Sequence, residues 1–150
     1  MEQRKVIFTK MNGTNGDIIT AIHKALPSSI AQAKEVSALL KDKTELETCK
    51  NIFNFVLYKI RYLADQGDQI IKTPSALMRE KSGDCKSISL FIASCLSNLK
   101  IPFKFTYASY SDNSTPSHVY ITTQSGIIID PVYKSFNKEK KPTYKYFKTP

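Results

Sequence analysis

Three side chains in this 150-residue sequence are of the types that acyl transfer through a thiol requires: a cysteine, a histidine and an aspartate. Such chemistry needs a thiolate, a base within hydrogen-bond reach and a group that orients the base. Cys85 follows Gly83 and Asp84 and begins an apolar run. A thiolate at the first position of a helix is stabilised by the positive end of the helix dipole. Cys85 is therefore the candidate nucleophile.

His118 and Asp130 are the candidate base and orienting acid. His118 begins one strand-like segment, Asp130 ends another, and the turn sequence Gln124-Ser125-Gly126 lies between them. A pairing of residue 118 with residue 130 centres the turn on residue 124, and side chains that oppose each other across a hairpin share a face. A simpler account stays open, in which Asp130 and Pro131 only terminate a strand.

The segment that carries Cys85 is predicted to form a helix from residue 85 to about residue 99. Gly83 permits a tight turn into this helix with a positive φ, and Asp84 can cap it. Apolar residues then recur at steps of three and four, at Ile88, Ile92, Cys95 and Leu99. Cys49 and Cys95 fall on apolar helix faces and are predicted to be core residues.

The remaining elements predict an α+β fold, with N-terminal helices and a nucleophile helix packed on a small antiparallel sheet. Upstream, we expect a short strand over 5–9 and helices over 15–26, 28–40 and 44–63. Pro27 is predicted to end the first helix. Leu39 and Leu46 are predicted to face the core, and His23 to lie on the surface. Alternating large apolar residues predict a strand around 103–107.

Composition and charge limit the possible functions. A chain with 41% hydrophobic residues suits one compact domain, which we place at 1–133. The three cysteines form no CxxC pair, and the sequence has no metal-ligand set or cofactor motif, so no disulfide framework, metal or cofactor is expected. No apolar run approaches the roughly 20 residues that span a bilayer. We therefore expect a soluble, cytoplasmic protein without a membrane partner.

The segment 134–150 combines six lysines with aromatic residues. It has little helical or alternating pattern, so we interpret it as an extended basic tail that either wraps the domain or docks on a structural protein partner. The net charge of +9 favours anionic surfaces in general. Because this charge is diffuse and no nucleic-acid-binding motif is present, specific nucleic-acid binding is not expected.

Beyond these patterns, the order of motifs resembles the core of the transglutaminase-like superfamily of papain-type cysteine enzymes. The resemblance covers about residues 45–133 and rests on Gly83-Asp84-Cys85, Leu99-Lys100-Ile101-Pro102, His118-Val119-Tyr120 and Ile129-Asp130-Pro131. It implies Cys85 as the nucleophile, His118 as the base and Asp130 as the orienting acid. It also implies a phage setting, since short proteins similar to this one are often encoded by tailed bacteriophages, in the host cytoplasm or associated with the virion.

Two features bear on how this chain would fit that family. Tyr120 supplies the aromatic residue that often follows the histidine, but no tryptophan is available for the oxyanion role of the large crosslinking members. The backbone N–H of Cys85 would serve instead, with Gln69 or Gln66 as a second donor. Lys86 is compatible with a stabilised thiolate, and its long side chain could also crowd a substrate.

Two functions are therefore open at the level of sequence. One is cysteine-dependent hydrolysis or acyl transfer at an amide, acting on a protein or peptide. The other is a non-catalytic structural or assembly module, for example a virion component, that retains the fold. The basic aromatic tail favours the second reading, and fold alone does not establish activity.

Overall fold

The computed structural model describes residues 6–11, 15–64 and 68–150, and their side chains from residue 18 to 64 and from 70 onward. The strands, in chain order, are β1 (Val6–Met11), β2 (Arg61–Tyr62), β3 (Asp68–Lys72), β4 (Ser82–Gly83), β5 (Phe103–Ser109), β6 (His118–Thr123), β7 (Ile128–Ile129) and β8 (Tyr144–Lys148). The helices are α1 (Asn15–Gln32), α2 (Lys34–Leu40), α3 (Glu45–Lys59), α4 (Pro74–Glu80) and α5 (Cys85–Asn98). The predicted α+β class is confirmed.

The central sheet is antiparallel, with strand order β7-β6-β5-β8, and α5 packs against it. Helix α5 is buried almost throughout, because Leu90, Phe91 and Ile92 have no solvent exposure. The hydroxyl of Ser89 donates to the Val119 carbonyl of β6 across 3.0 Å. The helix that begins at Cys85 is thus the central element of the core. No helix among the described residues is long and apolar enough to cross a membrane.

The first helix continues through Pro27, so the predicted stop at this residue is wrong. A proline inside a helix removes one hydrogen bond and costs about 3 kcal/mol. Here the residues before Pro27 are anchored by packing, since Ile22 and Leu26 are buried. The residues after it are held by Asn98, whose side-chain amide donates to the Ile30 carbonyl across 2.7 Å. Tertiary contacts on both sides keep the helix intact.

Three side chains lie differently from their predicted positions. Leu39 and Leu46 are 83% and 49% exposed. In the short helix α2 the buried residue is Ser37, and a position two residues later points about 200° around the axis. Leu46 lies in the first turn of α3, before the buried part of that helix. His23 is half-buried rather than fully exposed, and it packs on Phe105 of β5, with ring centroids 4.6 Å apart.

The C-terminal segment contains a strand that its weak local pattern did not predict. Strand β8 pairs with β5, with Tyr146 opposite Tyr107. Upstream of β8, the ring of Phe136 contacts that of Phe53 on α3, with centroids 5.5 Å apart. The compact unit therefore extends past residue 133, and this segment belongs to the sheet rather than following it as a separate tail.

Candidate active site

Cys85 is the first residue of α5, as the sequence predicts. The side chain of Asp84 caps the helix and accepts hydrogen bonds from the backbone N–H groups of Lys86 and Ser87. The Cys85 thiol is partly exposed and lies at the end of the helix where the backbone N–H groups point outward. The local sequence therefore determines where this sulfur lies.

Gly83 is required for close packing and not for a left-handed backbone. Its φ lies outside the positive region, so that prediction is wrong. A Cβ atom at this position would lie 2.6 Å from Cδ1 of Leu77 and 3.3 Å from Cβ of Ser87. Both distances are shorter than ordinary contacts between carbon atoms. A side chain at this position would force Leu77 and Ser87 to shift, so glycine suits the close approach of β4 to α4 and α5, two residues before Cys85.

His118 and Asp130 are in contact, but not through the predicted register. Nε2 of His118 and Oδ2 of Asp130 are 2.9 Å apart, and both side chains are largely buried. The observed pairs are Ile121 with Ile129 and Thr122 with Ile128. Extending this register by one residue pairs Asp130 with residue 120, whereas the prediction paired Asp130 with residue 118. Because side chains alternate along a strand, a shift of two residues keeps both on one face.

The thiol of Cys85 lies near enough to the ring of His118 to affect its pKa. Since Asp130 occupies Nε2, the nitrogen left for the sulfur is Nδ1. Burial by itself lowers the pKa of His118, but the hydrogen bond to the Asp130 carboxylate with its negative charge, together with the nearby Cys85, raises this pKa to about 10. His118 is therefore protonated at neutral pH, which places a positive charge near the sulfur of the candidate nucleophile.

Lys86 does not crowd the site. Its side chain is buried and folds back so that the ammonium donates to Oδ2 of Asp84. The negative charge of the cap is thereby neutralised next to the nucleophile. Without this pairing, a buried carboxylate one residue from Cys85 would disfavour a second negative charge on the sulfur.

Two aromatic rings flank the imidazole of His118, and a glutamate contacts one of them. The ring of Tyr120 stacks on it with centroids 5.5 Å apart, and the ring of Tyr110 lies at 6.1 Å. The Tyr120 hydroxyl donates to Glu139, whose carboxylate pairs with Lys145 of β8 at 3.1 Å. The C-terminal segment therefore contacts both tyrosines that flank the histidine, since the Lys140 ammonium also lies 4.5 Å from the ring centre of Tyr110.

Sequence reasoning missed Tyr110 and Glu139. Burial, with the charges of Asp130, Glu139 and Cys85, raises the pKa of Tyr110 to about 12, which shows how near this residue is to the site. One signal for Glu139 was available: it is the only acidic residue in 134–150, amid six lysines.

The second oxyanion donor is not located. Gln66 and the side chain of Gln69 lie outside the described residues, and the described backbone of Gln69 belongs to β3, opposite Lys10. The N–H of Cys85, at the first position of its helix, has no acceptor within the helix and so matches the predicted first donor.

The other two cysteines are core residues, as predicted. Cys49 and Cys95 are both buried. Burial raises the pKa of each thiol to about 12. They are matched internal controls for any experiment on Cys85. In the described part of the chain, no cluster of three or more His, Cys, Asp or Glu side chains is placed to hold a metal ion.

Solved structures share this fold. LapG of Legionella pneumophila, in a calcium-bound form, aligns with a TM-score of 0.59 and 17% identity over 89% of this chain and 84% of LapG. A candidate protease from Parabacteroides distasonis aligns with a TM-score of 0.57 and 14% identity, over 71% of this chain and 24% of that protease. A candidate cysteine protease from Cytophaga hutchinsonii aligns with a TM-score of 0.53 and 14% identity, over 91% of this chain and 52% of that protease. This chain thus spans about a quarter of the length of the Parabacteroides protein and about half of the length of the Cytophaga protein.

The predicted transglutaminase-like, papain-type fold is confirmed by these neighbours and by a protein described as a TGase. That protein has a TM-score of 0.50 and 16% identity, over 88% of this chain and 37% of its own length. No protein-family model and no curated protein matches the chain. At these identities the likeness establishes a cysteine-protease-like fold.

Proposed function

We propose that this protein is a cysteine-dependent enzyme that cleaves an amide bond and transfers the acyl group. The Cys85 thiolate attacks the amide carbonyl, forming a bond between sulfur and carbon. The bond between carbon and nitrogen then breaks, and the amine leaves with a proton from His118. Water or a second amine attacks the thioester, returns a proton to His118 and releases the thiolate. Asp130 orients the imidazole throughout.

The observation that carries this proposal is the chain of contacts from Asp130 through His118 to Cys85. One ring nitrogen of His118 contacts Asp130, the other is left free to face the nearby thiol of Cys85, and that thiol stands at a helix N-terminus. Several fold neighbours described as proteases or as a TGase make the same class of chemistry the expected one. The C-terminal segment, which favoured an assembly module at the level of sequence, instead contacts Tyr120 next to His118, so it is part of the surroundings of the proposed site.

Alkylation tests the nucleophile directly. We expect iodoacetamide at pH 7 to modify Cys85 at least about tenfold faster than a free thiol of ordinary reactivity, because His118 and the helix N-terminus place positive charge next to the attacking sulfur. Modified sites are read by peptide mass spectrometry. His118→Ala is expected to slow this reaction by about tenfold or more.

Cys49 and Cys95 are the controls within the same molecule, and they should stay unmodified while the protein is folded. Cys85→Ala should abolish both the labelling and any release of amine from a peptide or carboxamide substrate. Mass spectrometry of the product then separates hydrolysis from transfer to an amine. Equal, slow labelling of all three cysteines would refute the proposal.

A further inference from the structure

A groove of about 360 Å³ lies beside the candidate active site. Its walls are mainly apolar and come from the last turns of α3, including Leu57 and Ile60, and from Ile88 of α5 and Pro131. The volume is at the lower end of the roughly 300–1,000 Å³ of typical ligand sites. It can therefore take one or two side chains of a peptide rather than a large cofactor.

The groove is built on the same elements as the three site residues. Ile88 lies one turn of α5 after Cys85, about 5 Å along the helix axis. Pro131 directly follows Asp130 in the chain. Tyr62, which also lines the groove, pairs with Gly83 two residues before Cys85. Since an extended peptide spans about 3.3 Å per residue, a substrate held at the thiol reaches this groove within a few residues.

The charged side chains that line the groove are both cationic. Arg61 and Lys134 come from separate segments of the chain, and both residues are exposed. Charge complementarity therefore favours a bound carboxylate at the mouth, with an apolar side chain below it. A protonated amine or another cation would be repelled by both side chains.

We propose that this groove is a specificity site that binds an apolar side chain of the substrate next to an acidic one. The inference rests on the proposed function, because it names the peptides that Cys85 would act on. The substrate is thus a polypeptide segment that carries a pair such as Leu-Glu near the cleaved amide.

Peptidyl acyloxymethyl ketones test the specificity, since the thiolate displaces a carboxylate from them and forms a stable thioether. A set of tetrapeptide probes would carry Leu-Glu at each successive position, beside matched probes with Leu-Gln and Ala-Glu. We expect the best Leu-Glu probe to label Cys85 about fivefold faster than its Leu-Gln match and about tenfold faster than its Ala-Glu match. Intact-mass spectrometry gives the rates.

Two variants assign these preferences to the groove. The double variant Arg61→Gln and Lys134→Gln should lose the preference for Glu and keep the preference for Leu. Leu57→Ala should lose the preference for Leu and keep the preference for Glu. The matched control, Lys41→Gln with Lys50→Gln, removes the same charge from exposed lysines that do not line the groove, and it should keep both preferences.

The two proposals fail in different ways. If Cys85 reacts rapidly with iodoacetamide but labels equally with all probes, the groove is not a specificity site and the proposed function stands. A preference for Glu that survives in the double variant also overturns the inference. If Cys85 reacts with iodoacetamide no faster than Cys49 and Cys95, the proposed function itself fails.

Discussion

The two histidines of this chain occupy opposite electrostatic environments around the same sheet. His118 contacts a carboxylate and a thiol, and its pKa is raised to about 10 even though burial opposes this. His23 packs on Phe105, and its Nε2 is 3.3 Å from the Tyr107 hydroxyl. Burial, with the positive charge of Lys148, lowers the pKa of His23 to about 4. One histidine is thus held charged at neutral pH and the other neutral.

The difference shows that burial alone does not set the protonation of a histidine in this fold. Both side chains lose water, and desolvation lowers the pKa of both. The partner then decides the outcome, because only His118 has an anion within hydrogen-bond distance. A neutral imidazole on an aromatic ring contributes packing, whereas a charged one between thiol and carboxylate can transfer a proton.

Replacing the carboxylate of Asp130 should have the largest effect on the difference in protonation between His118 and His23. Asp130→Asn keeps the shape of the partner and removes its charge, so His118 loses the group that keeps it protonated. We expect alkylation of Cys85 by iodoacetamide at pH 7 to slow by about tenfold or more. Asp112→Asn, at an exposed aspartate, is the control. An unchanged rate in Asp130→Asn would show that the carboxylate does not govern His118.

The pH dependence of stability should differ in sign between the two histidines. The pKa of His118 is raised from 6.5 to about 10, so its contribution is full below pH 6.5 and is lost as pH rises toward 10. The pKa of His23 is lowered from 6.5 to about 4, so its contribution is present above pH 6.5 and is lost as pH falls toward 4.

Urea unfolding from pH 4 to 10 gives the free energy of unfolding as a function of pH. The acidic limb of this curve, below pH 6.5, reports on His23, and the alkaline limb, above pH 6.5, reports on His118. His118→Gln should flatten the alkaline limb by about 1 kcal/mol or more and leave the acidic limb unchanged. His23→Gln should flatten only the acidic limb. If both variants alter the same limb, the two environments do not differ as described.

The smallest expected effect concerns the tyrosine that contacts His23. Tyr107→Phe removes a hydroxyl 3.3 Å from Nε2 and keeps the ring, so we expect a loss of about 0.5–1.5 kcal/mol in unfolding free energy. Alkylation of Cys85 should not change. Tyr58→Phe, at a tyrosine that is 76% exposed, is the neutral control. A large drop in alkylation would instead place Tyr107 in the reaction at the thiol.

Sequence reasoning succeeded where the interactions are local. The cap by Asp84, the start of α5 at Cys85 and the burial of Cys95 all follow from a few neighbouring residues. It also brought His118 and Asp130 together despite a register that was wrong, because the error of two residues preserved the face of the strand.

Sequence reasoning failed in two situations. In one, distant contacts outweigh a local sequence signal; in the other, distant contacts create a structure for which there is no local signal. Pro27 reads as a helix stop, yet packing on both sides carries α1 through it. Strand β8 shows no alternating pattern, because its exposed residues gain their order from pairing with β5. Glu139 is placed against Tyr120 by the path of the chain, which no short motif encodes.

By itself, the sequence determined which residue types could do chemistry and where the cysteine stands on its helix, since capping and helical periodicity act over a few residues. Only the tertiary structure decided which histidine is charged, how Lys86 folds back on Asp84 and which segment covers the site. Those outcomes depend on atoms that are far apart in the chain, and their energies appear only when folding removes water between them.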